Sequence, residues 1–110
     1  VNQVYYPFLS DHSSYSIAKK QMLLGGGMLS FELNGGLEAA KRFMDATKVM
    51  TNAPTLGDTD TLLLHPYSSS HVNVDPKIRE ATGITPGLMR ISVGLESFVD
   101  LKNDLLEAGI

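Results

Sequence analysis

From Met28 to Leu33 the side chains alternate, with Met28, Ser30 and Glu32 on one side and Leu29, Phe31 and Leu33 on the other. A period of two is that of a half-buried strand. Leu88 to Val93 repeats it, with Leu88, Arg90 and Ser92 facing one way and Met89, Ile91 and Val93 the other. Two more runs read as strands: Val1 to Tyr6, rich in strand formers and stopped by Pro7, and the apolar Thr61 to Leu64, ended by His65-Pro66. Lys48-Val49-Met50 predicts a further short strand.

Between these runs the period lengthens. Ser13 or Ser14 is placed to cap a helix over Ser16 to Leu24, with Ile17, Gln21 and Leu24 on one face and Gly25-Gly26-Gly27 as its stop. After the turn Asn34-Gly35-Gly36, the residues Leu37, Ala40, Phe43, Met44 and Thr47 recur at helical spacing opposite Lys41, Arg42 and Asp45. Asp75-Pro76 is a helix start, an acid at the cap and proline at the first helical position, for a helix running to about Thr82 and ended by Gly83. Ser97, with Asp100 three positions on, opens a last helix whose apolar stripe is Phe98, Leu101 and Leu105. Strands interleaved with helices through short connections predict an α+β sandwich, a small mostly antiparallel sheet with helices packed on one face. Residues 1–110 form a single domain in this reading, without internal repeat or low-complexity linker.

Composition agrees, with 43% hydrophobic and 19% charged residues over 110 positions, values of a globular chain rather than a disordered one. The absence of cysteine removes disulfides, thiolate metal sites and thiol nucleophiles together. Residues 1–55 carry 5 basic and 4 acidic groups and residues 56–110 carry 4 and 8, so neither half offers the dense positive face that nucleic acid requires. No apolar run approaches a membrane span and no leader pattern opens the chain, so the expectation is a cytoplasmic protein that binds neither nucleic acid nor membrane. The start at Val1 rather than methionine leads us to expect a piece of something longer.

Arg90 is the first candidate for chemistry, because a guanidinium in the middle of an otherwise apolar strand is costly to desolvate without an anionic partner. Its rigid fork matches a carboxylate, either of a substrate or of an internal Asp or Glu. The ordinary alternative is a solvated arginine on an exposed strand face. The loop Pro54-Thr55-Leu56-Gly57-Asp58 offers a hydroxyl and backbone amides that can share an anion with Arg90, although such loops are common. His65 and His71, six apart, with His12 far off, read as ordinary histidines rather than a metal site. The triple glycine precedes a strand, the wrong context for a phosphate loop. These residues supply no complete catalytic set.

The order of segments resembles the carboxy-terminal domain of the Cys/Met-metabolism family of pyridoxal-phosphate enzymes. The resemblance runs through Val4-Tyr5-Tyr6-Pro7, Ala18-Lys19-Lys20-Gln21-Met22, Gly26 to Leu33, Leu56-Gly57-Asp58, His65-Pro66 to His71, Gly83-Ile84 and Leu88 to Glu96. That family includes cystathionine synthases and lyases, methionine gamma-lyase and acyl-homoserine sulfhydrylases, built on the fold of type I pyridoxal-phosphate transferases. The resemblance implies that Arg90, in Arg-x-Ser-Val-Gly-x-Glu, binds the α-carboxylate of an amino-acid substrate. It also implies that Thr55, where the family has serine, assists. Holding that carboxylate helps select the Cα bond that reacts, so Arg90 positions the substrate and transfers no proton.

The cofactor's lysine and its other anchors belong to a preceding domain in the family, and the segment alone is expected to be inactive. The same resemblance implies a homotetramer of the full-length enzyme. Pro54 stands where several cystathionine-handling members carry glutamate, which points toward a methionine gamma-lyase or sulfhydrylase, with cystathionine gamma-synthase or lyase as the alternative. A non-catalytic interaction or regulatory domain is the alternative of another class. Phe8 and Tyr67 depart from the small residues usual in the family and are expected beside loops that control access.

Overall fold

The computed structural model describes residues 1–110. Five strands make one sheet: β1 (Gln3–Tyr5), β2 (Met28–Glu32), β3 (Thr51–Asn52), β4 (Leu62–Leu64) and β5 (Leu88–Ser92), in the order β1-β2-β5-β4-β3. The pairs β1–β2, β2–β5 and β4–β5 are antiparallel and β3–β4 is parallel. The helices are α1 (Tyr15–Gln21), α2 (Gly36–Ala46), α3 (Pro76–Ala81) and α4 (Phe98–Glu107), with a 3₁₀ turn over Pro66–Ser68. No helix is long and apolar enough to cross a membrane.

The two alternating runs become β2 and β5, neighbours at the middle of the sheet. Phe31, Met89 and Ile91 turn to one face and meet Leu63, with Ala40 and Phe43 of α2, while Leu101 and Leu105 of α4 pack against the same cluster. Phe31 and Phe43 meet edge to face with ring centroids 5.6 Å apart. Removing such a buried ring costs about 3–5 kcal/mol, so this pair anchors helices to sheet. The opposite face carries Ser30, Glu32, Leu64, Leu88, Arg90 and Ser92, as the register Ser30 to Arg90 to Leu64 requires.

Lys48-Val49-Met50 is not a strand. The amides of these three residues donate to the Asp104 carboxylate of α4 at 2.7, 3.0 and 3.1 Å, and β3 begins only at Thr51. A buried carboxylate satisfied by three amides competes successfully with a strand ladder for those donors. Asp104 thereby ties α4 to the end of α2.

Two helices differ from expectation at their ends. α1 stops at Gln21, where Met22 turns to extended backbone and its amide returns to the Ala18 carbonyl at 2.8 Å. Ala18 is the buried residue of α1, and Ile17 and Leu24 face solvent, so the predicted apolar stripe is not the packed one. In α4, Leu101 and Leu105 pack as expected but Phe98, at the first turn, is 77% exposed, and the Ser97 side chain makes no cap. The start of α3 follows expectation: Asp75 accepts from the Lys77 amide at 2.9 Å with Pro76 at the first position.

Candidate functional site: an arginine without an acid

Arg90 sits at the centre of β5, flanked by Ser30 of β2 and Leu64 of β4, and is half-buried. Its Nη2 donates to the Thr55 carbonyl at 2.8 Å. Its Nε is buried without a partner. The chain forms two ion pairs, Lys41 with Glu38 at 3.2 Å and Lys48 with Glu107 at 3.1 Å, and neither involves Arg90. Arg90 is thus held in place with no carboxylate of this chain beside it.

Arg90 and Thr55 therefore come together across 35 residues, as their candidacy required, but through the backbone of Thr55. The Thr55 side chain lies exposed beside it. The Gly57 amide is not free for an anion, because it donates to Ser92 Oγ at 3.0 Å.

Three residues that sequence reasoning left without a role hold this loop. Beyond Arg90 the chain runs Ser92, Gly94, Glu96, and each grips the segment from Gly57 to Thr61. Leu95 adds its amide to the Thr59 carbonyl at 2.7 Å. Glu96 accepts from the Thr61 amide at 2.6 Å and the Thr61 hydroxyl at 2.7 Å, and that hydroxyl accepts from the Gly94 amide at 2.8 Å. Gly94 must be glycine on steric grounds: a Cβ there would lie against the Thr59 carbonyl oxygen and 2.6 Å from the Thr61 nitrogen. The signal for this lashing was present as polar or small residues at every second position after Arg90.

The Thr61 hydroxyl and then the Thr61 amide hold the Glu96 carboxyl below the usual carboxylate range. Asp58 is lowered in the same way, by the Asp60 amide first and the Thr59 hydroxyl second. Both acids are therefore committed to the loop as anions, and neither pairs with Arg90.

The remaining candidates lie apart. His65 is buried, with Nε2 donating to the Pro86 carbonyl at 2.8 Å and Nδ1 hydrogen-bonded to the Ser68 hydroxyl at 2.7 Å, so its ring braces the turn after β4. His71 meets Ser70, and His12 accepts the Ser14 amide. Tyr67 and Phe8, the two departures from the family pattern, each lie under a cation. Arg79 stacks on Tyr67 with its guanidinium carbon 3.9 Å from the ring centroid, and Lys19 lies 4.4 Å above Phe8. The apolar groove of about 330 Å³ between α4 and the sheet is lined by Leu29, Ile91, Leu101 and Leu105 among others, and by neither Arg90 nor Thr55.

A sheet of this order, with α2 and α4 on one face and Arg90 on the other, recurs as part of solved pyridoxal-phosphate enzymes. The structure superimposes on cystathionine gamma synthase from Xanthomonas oryzae pv. oryzae, solved in complex with cystathionine, with a TM-score of 0.92 and 42% identity over 98% of this chain and 28% of that one. L-methionine gamma-lyase of Fusobacterium nucleatum subsp. nucleatum is 50% identical over 105 residues, covering 96% of this chain and 27% of that protein. Cystathionine beta-lyase of Coxiella burnetii is 42% identical over 105 residues, covering 96% and 27%. The chain belongs to the Cys/Met metabolism PLP-dependent enzyme family, whose sequence model matches residues 1–109. It spans about a quarter of the length of these relatives.

Proposed function

We propose that this chain is the carboxy-terminal, substrate-clamping part of a pyridoxal-phosphate enzyme of sulfur amino-acid metabolism, of the methionine gamma-lyase or O-acylhomoserine sulfhydrylase type. Arg90 receives the α-carboxylate of the amino-acid substrate, and the loop at Thr55 closes one side of it. The observation that carries this reading is a half-buried guanidinium, fixed by the Thr55 carbonyl, with no acid of its own chain. Fixing the carboxylate fixes the orientation of Cα, and Arg90 does this without moving a proton. In the same reading the full-length enzyme is cytoplasmic, and the family resemblance implies a homotetramer.

Pyridoxal phosphate supplies the electron sink for bond breaking at Cα when bound. The residues of this chain do not make a seat for it. All six lysines are exposed; Lys19 lies over Phe8, and Lys41 and Lys48 pair with Glu38 and Glu107, whereas a lysine that condenses with a carbonyl is activated by desolvation or by a neighbouring cation. The cofactor is held, in this proposal, by the part of the enzyme outside these residues.

Pro54 favours methionine gamma-lyase or sulfhydrylase over the cystathionine enzymes. It shares a small cavity with Asn52, Ser68 and Ser69, whose lining carries no carboxylate for a distal ammonium group. The 42% identity to cystathionine gamma synthase keeps that activity as the second reading. Arg90→Ala in the full-length enzyme is expected to raise KM for the amino acid and to lower kcat/KM about 100- to 1000-fold. Unchanged affinity for the amino acid would instead favour an interaction or regulatory domain.

A further inference from the structure

Glu32 is the acid that the strand pattern places nearest to Arg90 on its own face of the sheet. Ser30 lies directly opposite Arg90 and Glu32 directly opposite Leu88, so Glu32 and Arg90 are diagonal neighbours on one face. Diagonal neighbours across a strand pair are about 7–8 Å apart, a span that two long side chains bridge with ease. Yet the two do not pair. The Glu32 carboxylate turns to the Thr85 hydroxyl, which stands 2.6 Å from each of its oxygens. The space it occupies is left open by Gly87, where a Cβ would lie 2.6 Å from Glu32 Oε1.

We propose that Thr85 is a positioning residue that holds Glu32 away from Arg90, keeping the guanidinium free for the carboxylate of the substrate. The inference rests on the reading of Arg90 as the carboxylate receptor. Without the hydroxyl, the Glu32 carboxylate loses its donor and the nearest charge-assisted replacement is Arg90. An internal ion pair then forms where the substrate binds, and the substrate must displace it.

The test uses the full-length holoenzyme and two competitive ligands, L-alanine and its carboxylate-free analogue L-alaninol. Thr85→Val is expected to raise the inhibition constant of alanine about 5- to 10-fold and to leave that of alaninol unchanged. Adding Glu32→Gln to Thr85→Val is expected to restore alanine binding, and Thr85→Ser to behave as the parent. Should Thr85→Val not fold, Thr85→Ala enters the same comparison. Equal weakening of alanine and alaninol, or no rescue by Glu32→Gln, would mean that Thr85 serves stability alone and would overturn the proposal. If alanine binding is unchanged in the Thr85 variants while Arg90→Ala weakens it, this inference fails and the receptor reading stands. If Arg90→Ala itself leaves alanine binding unchanged, the receptor reading fails, and this inference with it.

Discussion

Arg79 and Arg90 begin from the same difficulty and end in different surroundings. Each has a buried Nε without a partner, each donates one terminal nitrogen to a backbone carbonyl at 2.8 Å, and neither has a carboxylate. Arg79 is 7% exposed and its guanidinium lies over the Tyr67 ring, whose π face replaces an acid as the source of negative potential. No ring covers Arg90, and it remains half open. The contrast is one of closure: an aromatic face covers the Arg79 guanidinium, whereas that of Arg90 keeps an open edge, the edge that in the proposed function takes an incoming acid.

The contrast can be broken most strongly at the loop that Arg90 holds. Gly94→Ala forces a methyl group into the backbone of Thr59 to Thr61 and is expected to cost about 3 kcal/mol in urea unfolding. It should also raise KM severalfold, because the Thr55 carbonyl moves with the loop. Arg79→Met is the next largest, at about 2 kcal/mol, and tests the other half: stability should fall while KM for the amino acid stays within about twofold of the parent. A large KM change in Arg79→Met would erase the distinction.

The smallest effect is at Glu96, where Glu96→Gln should cost about 1 kcal/mol at neutral pH. Because the fold lowers the Glu96 carboxyl, its contribution is present above the ordinary carboxylate range and is lost as pH falls through the depressed value. The stability gap between parent and Glu96→Gln, read from urea midpoints across an acid series, should therefore narrow as pH falls. A gap that widens toward acid would reverse the assigned sign.

Much of the sheet was readable because β2 and β5 carry their alternation within five residues each. Arg90 stood out for the same reason, a charge in a short periodic run. What escaped was non-local. Nothing near Lys48 announces that Asp104, 56 positions later, takes its amide, and nothing near Glu32 announces Thr85, 53 positions later. Helix faces misled where burial was incomplete, since the period of Ile17 and Leu24 is genuine but the residue of α1 that becomes buried is Ala18. Resemblance identified Arg90 and Thr55 as partners, and geometry supplied what it left out: Thr55 meets Arg90 through its carbonyl, and Ser92, Gly94 and Glu96 hold the loop in place.

The strand order has a consequence for assembly. β5 is the last strand in the chain and the middle one in the sheet, entering between β2 and β4, whose residues precede it by tens of positions. Ribosomal synthesis runs in chain order, so the first four strands emerge before the one that joins them. Without it, β2 and β4 lack the neighbour they share, and Arg90 has neither Ser30 nor Leu64 beside it. The closing of the sheet and the placement of Arg90 at its centre are therefore one event.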